Sequence, residues 1–210
     1  MADDFQWELL EPQTFRGRDG DDLRLVKRAP ASEAEIAVLK ARLALPLTGT
    51  YLDFLRVSNG ADLFGVKVSG TAPEPETNAG DYTELLARRL VPFHDWGNGD
   101  FDCIDLTKAV GGEPPVCFWN DETGNLFPIC AGFGRWSRMA AFEVQTHGFL
   151  IHPRDYFEPR YENAQGVYES IANVKKAFFG PGADAQSEKF VPPPRERRRD
   201  RLLGWIRGRR

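Results

Sequence analysis

Four strand-like segments follow one another between residues 90 and 133, and they constrain the fold of this chain more than any other feature. The segments read LVPFHDW, FDCIDL, PVCFWND and LFPICAGF. Glycine, asparagine, aspartate and proline turn signals separate them, a pattern typical of short β-strands joined by tight connections. We therefore predict that this part of the chain forms β-structure.

Helical periodicity precedes these segments. SEAEIAVLKARL begins with a capping box at Ser32 and continues with apolar residues at helical spacing. TYLDFLRVSNG and DYTELLARRL predict two further helices. Asn59-Gly60 would supply the left-handed cap of the first, and Asp81 and Glu84 would cap the second.

Two shorter segments also predict β-structure. FRGRDGDDLRLV contains a Gly-Asp turn between apolar residues, which predicts a small hairpin. DLFGVKVSG is predicted to be one strand, because Phe64, Val66 and Val68 alternate with Gly65 and Lys67. The region from about 138 to 158 fits neither period.

The N-terminus and the cysteines indicate the compartment. MADDFQWELL carries acids where a signal peptide would carry positive charge, and no stretch approaches the ~18 apolar residues of a membrane span. We therefore expect a cytoplasmic protein. Cys103, Cys117 and Cys130 are 14 and 13 residues apart, which matches no zinc pattern and leaves an odd thiol. Buried, reduced cysteines are the preferred interpretation.

The charge is divided unevenly along the chain. Residues 190–210 contain eight arginines against Glu196 and Asp200, a net charge of +6. Because the whole chain has a net charge of −4, the other 189 residues carry −4 − 6 = −10. An acidic body attracts basic partners and repels nucleic acid, so we expect no nucleic-acid binding by the body.

WGNGDFDCIDL, residues 96 to 106, raises the question of a metal site. An EF-hand loop starting at Asp95 would need glycine at its sixth position and glutamate at its twelfth, where this chain has Asp100 and Leu106. In an extended strand, Asp102 shares a face with Asp100 whereas Asp105 points to the other. The acids therefore make a poor single site for a metal or for acid-base catalysis.

A tight turn explains the same stretch better. Asn98-Gly99 would supply the positive φ angles of a two-residue hairpin, and Asp100 would accept backbone amide hydrogen bonds there. The histidines, at 94, 147 and 152, show no metal-binding spacing, and neither a nucleophile elbow nor a phosphate loop occurs. We predict no enzyme, no metal and no cofactor. A metal-dependent hydrolase using the acids of residues 95–105 is the least favoured alternative.

The C-terminal segment RERRRDRLLGWIRGRR combines arginines with apolar residues. As a short amphipathic helix it would anchor the chain to an anionic membrane or an acidic partner. Two alternatives stay open, a solvated tail and a tail docked on the acidic body. The candidate anchor residues are Arg197, Arg198, Arg199, Leu202, Trp205 and Ile206.

Three stretches together resemble the SUKH superfamily, the Smi/Knr-like proteins. EIAVLKARLALPLTGTYLDFLRVSNGADLFG is similar to its N-terminal signature, a helix followed by Leu-Pro, Tyr-x-x-Phe-Leu and Asn-Gly. VPFHDWGNGDFDCIDL and PPVCFWNDETG resemble its second and third signatures. Ala44 stands where glycine is common, and Asn120-Asp121 where Asp-His is frequent. The resemblance spans roughly residues 32–158.

The resemblance implies an α+β fold, with a mixed or antiparallel sheet packed against helices and with extensions at both termini. It also implies a non-enzymatic role, since many bacterial members look like toxin immunity proteins and fungal relatives regulate cell-wall assembly. The expected divisions are an N-terminal extension (1–31), a SUKH-like domain (32–158), an additional helix (159–180, with helical periodicity from about 164 to 179), and a linker with a basic tail (181–210).

We therefore predict a protein-binding module, an immunity protein that covers a basic toxin with an acidic, aromatic surface. The alternative is a regulatory scaffold, of a cell-wall or membrane-associated assembly, that its arginine tail localises. Both surface tryptophans could instead be core residues, which is the preferred interpretation for Trp119. The predicted partner-binding residues are Asp95, Trp96, Asp100, Asp102, Trp119, Asp121 and Glu122.

Overall fold

The computed structural model describes residues 10–153, apart from residues 12, 18 and 44. All of these belong to one unit within Met1–Gln165. The helices are α1 (Glu33–Arg42), α2 (Thr50–Val57), α3 (Ala79–Ala87) and α4 (Phe133–His147), with a 3-10 turn at Leu106–Lys108. The strands are β1 (Thr14–Arg16), β2 (Asp22–Lys27), β3 (Ala61–Leu63), β4 (Val66–Val68), β5 (Leu90–Asp95), β6 (Phe101–Asp105), β7 (Val116–Asn120) and β8 (Asn125–Cys130).

The strands form two four-stranded antiparallel sheets, in the orders β1-β2-β3-β4 and β5-β6-β7-β8. The end of β4 lies beside β5, where the main-chain N–H of Ser69 donates to the carbonyl oxygen of Phe93 at 2.7 Å. The α+β class with antiparallel sheets and helices is confirmed, and so is the predicted hairpin of β1 and β2. The four strand-like segments of the opening pattern correspond to β5 to β8.

An aromatic cluster joins α2, α4 and β5 in the core. Phe133 at the start of α4 contacts Tyr51 and Phe54 of α2 and Phe93 of β5, with ring centroids 4.8–5.2 Å apart. Trp136, one turn further along α4, packs edge-on against Phe93 at 4.7 Å. Aromatic pairs at these distances add to the stability that burial of their area provides. This cluster fixes the position of α4 against β5.

The predicted helix starts and stops are partly right. The capping box of α1 is confirmed: Ser32 Oγ accepts from the amide of Glu35 at 3.2 Å, and Glu35 Oε2 accepts from the amide of Ser32 at 2.8 Å. The caps predicted for the next two helices are wrong. Extended Ser58 ends α2, and Asn78, whose side chain accepts from the amide of Gly80, caps α3.

The single strand predicted for DLFGVKVSG is wrong. Phe64 and Gly65 have φ angles of 58° and 88° and form a two-residue turn between β3 and β4. Phe64 is nevertheless buried against Phe15 at 4.3 Å, so packing holds an aromatic residue in a conformation that its own propensity disfavours. The region that fitted neither period includes most of α4, the longest helix described.

Candidate functional site

The β5–β6 turn differs from the two-residue turn predicted for it. Trp96 N–H donates to the carbonyl oxygen of Asp100 at 3.1 Å, which leaves three residues in the loop. Gly97 and Gly99, at φ angles of 77° and 89°, adopt the left-handed conformation, whereas Asn98 does not. Asn98 instead uses its side-chain oxygen to accept from the amide of Asp100 at 3.1 Å.

Asp100 connects this turn to the β7–β8 turn. Its Oδ1 accepts from the amide of Asp121 at 2.9 Å, and its Oδ2 accepts from Asn98 Nδ2 at 3.1 Å. His152 Nε2 lies 3.4 Å from the same Oδ2. The prediction that Asp100 accepts a backbone amide is therefore confirmed. Asp100 has no exposed surface, so its charge holds two turns together and is not available to a partner.

Asp102 is buried beneath the same turn. Its Oδ2 accepts a hydrogen bond from Trp136 Nε1 at 3.1 Å. Burial raises the pKa of the Asp102 carboxyl to about 8, and the negative charges of Glu143 and Asp100 also raise it, whereas the indole N–H groups of Trp96 and Trp136 lower it. At neutral pH the carboxyl is therefore largely protonated. Asp102 offers no exposed surface to a partner either.

His94 is the cross-strand neighbour of Asp102 and is also buried. Its Nδ1 lies 2.8 Å from the carbonyl oxygen of Lys67; because that oxygen only accepts, Nδ1 carries the proton and Nε2 is left as an acceptor. Burial lowers the pKa of His94 to about 4, so the ring is neutral at pH 7. Half-buried Trp96 contacts the rings of both His94 and His152, at 4.6 and 4.5 Å.

Acidic side chains from α3, the end of β5 and the β7–β8 turn interact electrostatically with Asp81. Together with Glu122, which follows Asp121, we call them the acidic surface (Asp81, Glu84, Asp95, Asp121 and Glu122). Burial raises the pKa of Asp81, and the charges of Asp121, Glu84 and Asp95 raise it further. The last three residues therefore lie near enough to Asp81 to repel it, and Glu122 follows Asp121 in the exposed β7–β8 turn. Half-buried Trp96 follows Asp95 directly.

Trp119 lies in the core, on the inner side of this surface. It is 7% exposed and packs with Leu85, Cys103 and Cys117. The guanidinium of Arg88 covers its ring at 4.6 Å and is held by Glu84 at 2.7 Å. The core interpretation of Trp119 is confirmed, and the ring is shielded by a cation from any partner.

Of the predicted contact residues, Asp95 and Asp121 lie near Asp81, and Trp96 and Glu122 are their neighbours along the chain. The sequence prediction does not include Asp81 or Glu84. Those two acids lie on α3, and only the tertiary fold places α3 beside the turns. Asp105, which the strand pattern separates from Asp102, caps the 3-10 turn through the amide of Thr107 at 3.0 Å. The candidate anchor residues of the C-terminal segment lie outside the described residues, and so does the predicted helix of residues 164–179.

The three cysteines are buried and unpaired with one another, as predicted. Burial raises the pKa of all three thiols, which makes them poor nucleophiles. Within the described part of the chain, no group of three metal-ligating side chains is placed to hold a metal ion. No helix in that part is long and apolar enough to cross a membrane.

Comparison with protein-family models matches residues 30–139, which are 110 of the 210 residues, to the SMI1/KNR4 family (SUKH-1). A search of curated proteins finds no match to the chain. The matched region contains all the elements from α1 to β8, together with the acidic surface. Members of this family are immunity proteins and are generally non-catalytic. The chain therefore belongs to the SMI1/KNR4 (SUKH-1) family.

Proposed function

We propose that this chain is an immunity protein that neutralises a cognate bacterial toxin by occlusion, with the acidic surface as its binding face. The observation that carries the proposal is the crowding of carboxylates around Asp81, contributed by a helix and two turns. Mutually repelling charges destabilise a folded protein, and a basic partner would relieve that repulsion. Neutralisation by occlusion requires only that the surface of the chain be complementary to that of the toxin, and it requires no catalytic group.

The two kinds of residue at this face have different roles in the proposal. The exposed acids steer a basic partner and raise its association rate. Trp96 supplies an aromatic contact that slows dissociation, since buried aromatic anchors dominate interface energies. Asp95, Trp96, Asp121 and Glu122 are the proposed contacts, joined by Asp81 and Glu84. Buried Asp100, Asp102 and Trp119 position this face from beneath.

Co-expression tests the proposal. A bacterial host would produce the chain together with the toxin encoded by the neighbouring gene. Restored growth and a co-purifying complex are the expected results. Failure of rescue together with failure to form a complex would contradict the proposal.

The regulatory scaffold remains the second candidate, because the C-terminal segment carries a net charge of +6. Deleting residues 190–210 separates the two functions. Neutralisation that survives the deletion supports binding by the acidic surface alone. Unchanged partner binding with lost localisation supports the scaffold, and lost neutralisation gives the tail a direct role.

A further inference from the structure

Three buried polar atoms beneath the β5–β6 turn have no hydrogen-bond partner among the described residues. They are Asp102 Oδ1, His94 Nε2 and Trp96 Nε1. The three side chains are neighbours: His94 and Asp102 pair across β5 and β6, and the rings of His94 and Trp96 are 4.6 Å apart. The indole N–H of Trp96 lies near enough to the Asp102 carboxyl to lower its pKa, although the two groups do not complete a hydrogen bond. Unsatisfied buried polar atoms are rare in folded proteins, so such a cluster requires an explanation.

The chemistry of the three groups allows two different pairings. A protonated Asp102 is a hydrogen-bond donor, and the only lone pair of the His94 ring, at Nε2, is an acceptor. An ionised Asp102 only accepts, so it would take the N–H of Trp96 while it keeps that of Trp136 at 3.1 Å. The proton therefore decides whether the Asp102 carboxyl can donate to His94 Nε2, and its loss strengthens the carboxyl as an acceptor for the indole of Trp96.

We propose that Asp102, His94 and Trp96 form a proton-linked switch that controls how firmly Trp96 is held. With the proton on Asp102, the carboxyl donates to His94 Nε2 and the indole of Trp96 is released. When the proton leaves, the carboxylate accepts from the indoles of both Trp96 and Trp136 and draws Trp96 inward. The imidazole stays neutral and keeps its Nδ1–H on the carbonyl oxygen of Lys67 in both states.

The charged groups around the switch set the pH at which it operates. Asp100 on β6 and Glu143 on α4 disfavour ionisation of Asp102, in addition to burial. His152, which follows α4, disfavours protonation of His94, whereas Asp95 on β5 favours it. With the pKa of Asp102 at about 8 and that of His94 at about 4, the carboxyl titrates while the imidazole remains neutral.

The switch has a consequence for binding that rests on the proposed function. Trp96 belongs to the proposed contact face, so its release below the transition changes the partner's affinity. The switch itself requires no partner and can be measured in the isolated chain. A negative result for the switch can therefore be distinguished from a negative result in the toxin assay.

Nuclear magnetic resonance of the isotopically labelled full chain tests the switch between pH 5 and pH 9.5. The probes are the indole N–H of Trp96, the side-chain carboxyl carbon of Asp102 and the ring nitrogens of His94. We expect the first two to titrate with one shared midpoint near pH 8, the indole proton moving downfield as pH rises. His94 should remain the Nδ1–H tautomer, with Nε2 hydrogen-bonded only below the midpoint. Trp96→Phe assigns the indole resonance.

Matched variants separate the buried carboxyl from an exposed acid outside the cluster. Asp102→Asn should abolish the titration of the Trp96 indole, whereas Asp19→Asn, which changes an exposed acid in the β1–β2 turn, should preserve it. An indole resonance that is constant across the range in the unmodified chain overturns the proposal. So does an unchanged titration in folded Asp102→Asn. If that variant does not fold, the unmodified chain provides the test. A shared midpoint for the Trp96 indole and the Asp102 carboxyl carbon supports the switch, and separate midpoints overturn it.

Discussion

The main-chain amide of Asp121 donates a 2.9 Å hydrogen bond to Oδ1 of Asp100, so a side chain buried in one turn holds the backbone of the next. The β5–β6 and β7–β8 turns thus act as one structural unit. The exposed acids of the acidic surface depend on that unit for their positions. Loss of the Asp100 carboxylate is therefore expected to disturb both turns.

Replacement of Asp100 by alanine should lower the free energy of unfolding by about 2–4 kcal/mol, because buried partners of a charged group lose their acceptor. Urea denaturation measures the change. Asp95→Ala is the matched control: Asp95 is only half buried and caps its own turn through the amide of Gly97 at 2.7 Å. Its loss should cost about 1 kcal/mol or less. Equal costs for the two variants would contradict the role given to Asp100.

Gly97 and Gly99 form a second matched pair, since both have positive φ angles. A side chain at either position costs about 1 kcal/mol from backbone strain. A Cβ on Gly99 would also lie 3.2 Å from Cβ of Asp121, while one on Gly97 would meet nothing within 4 Å. Gly99→Ala should therefore be the more destabilising variant in thermal denaturation. An equal or smaller loss would show that the two turns do not pack as described.

The order of elements could be predicted from the sequence, because strand alternation, the capping box at Ser32 and the family resemblance are local patterns. The β3–β4 hairpin could not, since Phe64 at positive φ violates the local preference and is held there by Phe15. The apolar face of α4 is interrupted by Ser137 and Glu143, both buried and hydrogen-bonded, and this obscures its helical period.

The residues of the candidate site could likewise be predicted only where local patterns determine their positions. The strand pattern places Asp100 and Asp102 on one face, but it does not say that this face is buried. Both acids are covered because α4 and the residues after it pack there, bringing Trp136 and His152 against them. Asp81 and Glu84 belong to the acidic surface only because tertiary packing places α3 beside the turns, and a local sequence pattern cannot predict that packing.

The dependence of stability on pH should reveal Asp102. Its pKa in the folded chain, about 8, lies above the value of about 3.9 in the unfolded chain. Its contribution to stability is therefore fully present below about pH 4 and is lost as pH rises through 8. His94 has the opposite shift, with a folded pKa of about 4 against about 6.5. Its contribution is present above about pH 6.5 and is lost as pH falls through 4.

Between pH 4 and 6.5 the contributions of Asp102 and His94 to the unfolding free energy change in opposite directions with pH. Between pH 6.5 and 8, only the contribution of Asp102 changes. The unfolding free energy should decline there with a slope approaching about 1.4 kcal/mol per pH unit, and Asp102→Asn should remove that decline. Urea denaturation at half-unit pH steps measures both chains. Identical slopes in the two chains would show that Asp102 is already ionised at neutral pH.

Neutralising Asp81 should stabilise the free protein. Asp81→Asn removes a carboxyl whose pKa is raised by burial and by its acidic neighbours, so the melting temperature should rise slightly, and less at high salt. Asp19→Asn, an exposed acid in the β1–β2 turn, is the control and should leave the melting temperature nearly unchanged. A fall for Asp81→Asn at low salt would mean that the acids do not repel one another.

The affinity of the cognate toxin for a variant with a reversed acidic surface tests the proposed binding face most directly. Asp81→Lys, Asp95→Lys and Asp121→Lys would be combined and compared with Asp19→Lys by titration calorimetry at two salt concentrations. We expect the triple variant to bind at least roughly tenfold more weakly and to lose most of the salt dependence, while the control binds normally. A folded triple variant that binds the toxin as tightly as the control would show that the acidic surface is not the binding face.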